Sequence, residues 1–333
     1  MTILEVQNLS KHFITNGGVI PRLLGNQKEL QAIRDVSFTV EEGRSLGLVG
    51  ESGAGKSTVG NVITRIHEPT AGTVRYRGQN VHELSGPDLQ EYRRSVQMVF
   101  QDPYRSLDPR YRIGKTIAEP LKIHTDLSTT QRRERVAELL ETVNLSPDLR
   151  DRFPHELSGG QLQRVSIATA LSIDPEFLIL DEPVSALDVS VQARILNLLK
   201  DLQHEYDLSY LFISHDLGVI KHVCDDVAVM YLGEIVEKAP TQELFDTPYH
   251  PYSEGLLGSV PEPAVNASRD DTRLSGEIPS PTNPPSGCSF HPRCPYATTE
   301  CERDDPPLED VTIERDVACH HWETLRDSAP DDQ

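Results

Sequence analysis

No stretch of this 333-residue chain approaches the roughly 18 to 20 consecutive apolar residues that a membrane helix requires. The longest candidates, such as residues 227–232, have the length of buried strands, so nothing here is expected to cross a bilayer. The opening Met1-Thr2-Ile3-Leu4-Glu5-Val6 has neither a basic start nor an apolar run ending in a small-residue cleavage site, which sets the expected location in the cytoplasm. Basic charge is also scarce. The 32 Lys and Arg against 52 Asp and Glu leave a formal charge of −20, which disfavours a phosphate-backbone partner such as nucleic acid. Half of that excess lies in residues 262–333, with 16 acidic and 6 basic side chains, and it reads as a solvated surface rather than an acidic binding face. There is no internal repeat.

With 37% hydrophobic and 25% charged residues, the chain can bury a large core, as one big domain with an appendage or two modest ones. Up to about residue 240, β-branched runs near 46–49, 177–180 and 210–213 alternate with helical stretches near 57–66, 160–172 and 190–204, which reads as a parallel α/β sheet. Between about 102 and 157 strand signals are weak, and helices inserted between sheet elements are expected. After about 250, Pro-rich turns at 279–285 and 305–307 mark a separate extension. The expected domains are 1–250 and 251–333.

Gly50-Glu51-Ser52-Gly53-Ala54-Gly55-Lys56-Ser57 fits G-x-x-x-x-G-K-[ST] between an apolar strand and a helix, the context a phosphate-binding loop needs. Gly53 and Gly55 let backbone N–H groups turn toward phosphate oxygens, the helix start adds its positive dipole end, and Lys56 adds a full charge. Ser57 can offer a hydroxyl to Mg²⁺, and Thr58 follows it in the first helical turn. Downstream, Phe177-Leu178-Ile179-Leu180 is a buried strand ending in Asp181-Glu182, at the C-terminal edge where open α/β sheets place ligands. Asp181 is expected to hold Mg²⁺ and Glu182 to polarise the attacking water. Two adjacent buried carboxylates would be costly without a cation.

Leu157-Ser158-Gly159-Gly160-Gln161, some twenty residues before that strand, makes the chain resemble the ABC ATPases. The resemblance extends to Gln101 after the strand near 96–100, to Ser185-Ala186-Leu187-Asp188, and to His215 after Ile213-Ser214. It implies the fold of a P-loop NTPase of ABC type: a mixed α/β sheet core, an antiparallel β subdomain and an inserted helical subdomain. It also implies that Phe13 stacks on adenine, that Gln101 joins Ser57 and Asp181 at Mg²⁺, and that His215 contacts the γ-phosphate. Ser158, Gly159, Gly160, Gln161 and Asp188 would close over ATP held by a partner subunit. With one motif set, hydrolysis implies a second ABC ATPase subunit. A soluble ABC ATPase of translation or repair is disfavoured, because neither a second motif set nor long heptad runs are present.

A long insert between Phe13 and Ala32, Gln101-Asp102-Pro103-Tyr104-Arg105-Ser106-Leu107-Asp108-Pro109-Arg110, and His250-Pro251-Tyr252 are similar to the oligopeptide/dipeptide permease branch, closer to the second of its two ATPase subunits. That likeness implies a peripheral protein on the cytoplasmic face, two membrane permease subunits contacted near Tyr104 and Arg105, and an external receptor reached only indirectly. It implies peptide uptake, with nickel or sugar as alternative cargoes.

Cysteine is sparse, five in all, and Cys224 stands alone as a small packed residue. Cys288, Cys294, Cys301 and Cys319 cluster in the extension and suggest a metal staple. Their spacing is wider than structural zinc loops, and disulfides are disfavoured in a reducing cytoplasm. The resemblance implies a 4Fe–4S cluster; zinc and metal-free thiols stay open.

Overall fold

A computed structural model describes residues 1–15, 28–258 and 276–328. Most of the insert expected between Phe13 and Ala32 lies outside the described residues. Two sheets organise the rest. Strands β1 (Thr2–Thr15), β2 (Lys28–Glu41), β4 (Ala71–Tyr76) and β5 (Gln79–Asn80) form an antiparallel sheet in the order β2-β1-β4-β5. The second sheet has eight strands: β3 (Ser45–Val49), β6 (Val96–Val99), β7 (Phe177–Asp181), β8 (Ser209–Ser214), β9 (Asp226–Tyr231), β10 (Glu234–Pro240), β11 (Glu309–Thr312) and β12 (Arg315–Val317), in the order β11-β12-β10-β9-β3-β8-β7-β6. From β9 to β6 its neighbours run parallel, while β10, β12 and β11 are antiparallel, so the sheet is mixed.

Strands β3, β7 and β8 are buried at every position, as continuous apolar runs in a doubly covered parallel sheet should be. Their side chains divide by strand alternation. Leu46, Leu48, Phe177, Ile179, Leu211 and Ile213 face a core shared with the antiparallel sheet and the helix Lys56–Ile63. Val49, Leu178, Leu180, Tyr210 and Phe212 face a second core shared with the helices of residues 113–171 and the helix Val189–Tyr206. Every strand end that carries chemistry is therefore clamped from both faces.

The helix expected at 57–66 ends at Ile63, because the chain reverses through Arg65, whose φ of 60° is left-handed. Residues 102–157 contain helices Pro103–Ser106, Ile113–His124 and Thr129–Thr142 and no strand. The extension, read from composition as a separate piece, is joined to the sheet: β12 pairs with β10 through Glu237 opposite Val317 and Lys238 opposite Asp316. The prolines at 305–307 precede this hairpin and do not interrupt it.

Candidate functional site: a nucleotide cavity at the end of the parallel sheet

The phosphate-binding loop leaves β3 and enters the helix Lys56–Ile63. Two glycines in it are obligatory on steric grounds. Gly55 has φ +104°, and a Cβ there would meet the Ala32 carbonyl oxygen at 2.1 Å; a Cβ at Gly50 would meet the Met230 carbonyl oxygen at 2.1 Å. Gly53, Ser52 and Thr58 line the cavity that the loop borders, whose volume is about 770 Å³. Ala54 packs inward, 5% exposed, and its carbonyl accepts from Gly233 N–H at 3.0 Å.

Lys56 is buried, and its Nζ donates to the carbonyls of Gly50 at 2.7 Å and Glu51 at 3.0 Å. Burial pulls its pKa down, opposed by the carboxylates of Glu182, Asp181 and Glu51. Ser57 Oγ donates to Asp181 Oδ1 at 2.9 Å, which brings the two expected Mg²⁺ oxygens together. Burial raises the Asp181 pKa, the Ser57 hydrogen bond opposes that, and neighbouring Glu182 adds to it. A pair of hard oxygen donors beside a phosphate loop fits Mg²⁺ in donor chemistry.

At Glu182 the strand has ended, with φ at 45°, a left-handed conformation that non-glycine residues adopt mainly where tertiary contacts enforce it. Here its N–H donates to the Ile213 carbonyl at 2.9 Å. Gln101 Nε2 donates to Glu182 Oε2 at 2.6 Å, and His215 Nδ1 stands 3.0 Å from Oε1. Two residues drawn from separate sequence regions thus converge on the carboxylate of a third. Gln101, expected both among the catalytic residues with Glu182 and His215 and beside Ser57 and Asp181 at Mg²⁺, bonds Glu182 in this arrangement. Phe13 also lines the cavity, as do Leu30 and Ala32, and Lys11 Nζ lies 5.0 Å from its ring centroid.

Ser158, Gly159, Gly160, Gln161 and Asp188 do not line this cavity. Ser158 caps the helix Gly159–Leu171 in a reciprocal capping box, accepting from Gln161 N–H at 3.4 Å while its own N–H donates to Gln161 Oε1 at 2.9 Å. Gly160 lets this helix start approach the next one: a Cβ there would meet Val191 Cγ1 at 2.5 Å. Asp188 is exposed beside Val189, which is 81% exposed.

Four contributors to the cavity region come from beyond residue 250 and carry no motif by themselves. Leu256 and Pro281 line the cavity wall. Tyr252 Oη accepts from Glu51 N–H at 2.9 Å, and Arg293 forks onto the Glu51 carboxylate at 2.6 and 3.1 Å. Tyr252 lies in the His-Pro-Tyr stretch and Pro281 in the Pro-rich turn at 279–285, but the approach of these residues to the phosphate loop needs the fold.

Cys288, Cys294, Cys301 and Cys319 line one small cavity together with His291 and His321. All are free thiols. Burial pushes Cys288 up to about 12 and Cys319 up to about 11, and raises Cys294. Among the described residues, no group of three or more His, Cys, Asp or Glu is gathered closely enough to hold a metal ion. The donor chemistry suits a soft metal or cluster and the closeness does not. Cys224 is buried, as expected, and burial raises its thiol pKa well above the ordinary value.

Comparison with known proteins accounts for this arrangement. Residues 33–185 match the family described as ABC transporter, and residues 236–301 the family described as oligopeptide/dipeptide transporter, C-terminal region. The chain is 47% identical over 319 residues to the dipeptide transport ATP-binding protein DppF of Haemophilus influenzae, covering 96% of each chain. It is 47% identical over 322 residues to the oligopeptide transport ATP-binding protein AppF of Bacillus subtilis, covering 96% of this chain and 97% of that one. Among solved structures, a dimeric ATP-binding cassette in a post-hydrolysis state with ADP and Pi superposes with a TM-score of 0.63 at 28% identity, over 72% of this chain and 99% of that one. No helix among the described residues is long and apolar enough to cross a membrane. With its phosphate loop, its carboxylate pair and its full-length relatives in agreement, the chain belongs to the ATP-hydrolysing ATP-binding subunits of the ABC-type oligopeptide/dipeptide transporter family.

Proposed function

We propose that this chain drives peptide import through separate membrane subunits, with Glu182 as the general base of ATP hydrolysis. The observation that carries the reading is the Glu182 carboxylate held between Gln101 and His215 where all three line the phosphate-loop cavity. Lys56 and the backbone N–H groups of residues 53–58 receive the phosphates, Ser57 and Asp181 hold Mg²⁺, and Phe13 stacks on the base. Bound Mg²⁺ supplies charge neutralisation at the β- and γ-phosphates. Glu182 accepts the proton of the attacking water, and His215 and Gln101 orient that carboxylate and report on the γ-phosphate.

The motif residues Ser158, Gly159, Gly160, Gln161 and Asp188 serve a partner's ATP. Their absence from the chain's own cavity supports this, as does the exposed helix N-terminus they form, a ready site for a phosphate. Closure of two such subunits over two nucleotides then couples ATP binding to the membrane subunits. Tyr104, 57% exposed, and the exposed Arg105 sit one short turn from Gln101, a location suited to relaying Gln101 movement to those subunits at the cytoplasmic face. The external receptor acts upstream of this chain.

The experiment is Glu182→Gln. Turnover in the assembled transporter should fall about 10³-fold, equivalent to about 4 kcal/mol of transition-state stabilisation, with ATP binding retained. Unchanged turnover would remove Glu182 as the base. Peptide cargo is tested by uptake of a labelled dipeptide, which must stop in the same variant. For the four cysteines, a 4Fe–4S cluster is the finer reading, supported by the soft donor chemistry of four thiols lining one cavity and requiring them to draw closer than they stand here. Anaerobically purified protein should then contain about four iron atoms per chain; zinc or no metal would end that assignment.

A further inference from the structure

The phosphate loop contains a negative charge of its own. Glu51, its second residue, lines the nucleotide cavity, where a polyanionic triphosphate must sit. Every polar group of Glu51 is engaged. Its N–H donates to Tyr252 Oη at 2.9 Å, and its carbonyl accepts from Lys56 Nζ at 3.0 Å and from Ala54 N–H at 3.2 Å. Its carboxylate accepts from Nη1 and Nη2 of Arg293, 242 residues away in the sequence, at 2.6 and 3.1 Å. The Arg293 side chain is only 4% exposed, stacked near the rings of Tyr231 and Phe290. A bidentate guanidinium–carboxylate pair held this rigidly fixes direction as well as charge.

We propose that Arg293 is a positioning residue for the phosphate-binding loop: it neutralises and orients the Glu51 carboxylate, so that the loop accepts a nucleotide it would otherwise repel. The C-terminal extension is thereby a working part of the ATP site, which it also walls through Leu256 and Pro281. The opposing pulls on Glu51 explain the arrangement. Lys56 must stay free to leave the Gly50 and Glu51 carbonyls for the phosphates, and a loop anchored from outside by Arg293 and Tyr252 keeps its shape when it does. An unpaired carboxylate in a partly buried site is costly beside another anion, because little water screens the pair.

The inference rests on reading residues 50–57 as the ATP site, and Lys56→Ala tests that reading separately by abolishing Mg-ATP binding to the full-length chain. Given that, equilibrium binding of Mg-ATP should weaken about tenfold in Arg293→Ala, about 1.4 kcal/mol. It should return to within about twofold of wild type when Glu51→Gln is added, because the repelling charge is gone. Arg293→Lys, which keeps the charge and loses the fork, should lie between and lose its defect in the Glu51→Gln background; it carries the test if Arg293→Ala does not fold. A merely structural anchor predicts the opposite pattern, with no rescue by Glu51→Gln and a lowered unfolding midpoint in every Arg293 variant. Wild-type affinity in both Arg293 variants, or an unrescued loss, overturns the proposal.

Discussion

His250 is 2% exposed, with Nδ1 accepting from Tyr252 N–H at 3.0 Å and its own N–H donating to Glu237 Oε2 at 3.0 Å. Burial lowers its pKa to about 3, so the folded protein holds it neutral. A depressed pKa of this kind contributes stability that is fully present above the ordinary value near 6.5 and is lost as pH falls toward 3, because the unfolded chain takes up the proton first. Between pH 6.5 and 5 this one group should cost on the order of 1 kcal/mol of stability per pH unit. Urea midpoints measured across that range should fall more steeply for wild type than for His250→Asn. Parallel slopes would mean that His250 is not the group titrating.

At the scale of an element, the helix Gly159–Leu171 carries two duties at its N-terminus. Ser158 satisfies an orphan N–H of its own helix, and under the proposed function that same helix end, with its positive dipole, is offered to a partner's nucleotide. Ser158→Ala should therefore cost about 1 kcal/mol of stability as a lost cap. Its effect on assembly should be far larger. In a Glu182→Gln background, where bound ATP persists, sedimentation should show ATP-dependent dimers that the added Ser158→Ala change abolishes. Dimers of undiminished affinity would detach Ser158 from the partner's ATP.

Across the whole molecule, the extension is stitched to the nucleotide-binding core by buried charge as well as by strand pairing. Arg315 is 2% exposed and Glu237 0%, with Arg315 Nη1 4.0 Å from Glu237 Oε1 and 2.7 Å from the Thr247 carbonyl it donates to, and its guanidinium 3.9 Å from the Tyr249 ring centroid. Removing one member of a buried pair leaves the other uncompensated, which costs about 3 to 5 kcal/mol. Arg315→Leu should lower the unfolding free energy by that amount in urea titrations, whereas a loss under 1 kcal/mol would mean that the backbone N–H groups of Tyr249 and His250 suffice for Glu237. On the other flank, Arg34 bonds Ser289 Oγ at 3.0 Å and Glu234 Oε1 at 3.0 Å, and burial pushes Glu234 up to about 7. The core and the extension share these contacts, so they should unfold together.

Local chemistry in the sequence determined the nucleotide chemistry. A glycine-spaced loop ending in Lys56-Ser57, an apolar run ending in Asp181-Glu182, and Leu157 to Gln161 each draw meaning from neighbours a few residues away, and continuous apolar runs identify β3, β7 and β8 because strands buried on both faces need no alternation. What stayed hidden depends on approaches between distant parts of the chain. That Gln101 and His215 both bond Glu182, and that β12 extends the core sheet, were beyond local pattern, as was Arg293 reaching back to Glu51. Spacing fixes which residues share a turn or a strand; only packing decides which remote charge lies 2.6 Å from the phosphate loop, because a buried carboxylate takes whichever cation the folded topology delivers to it.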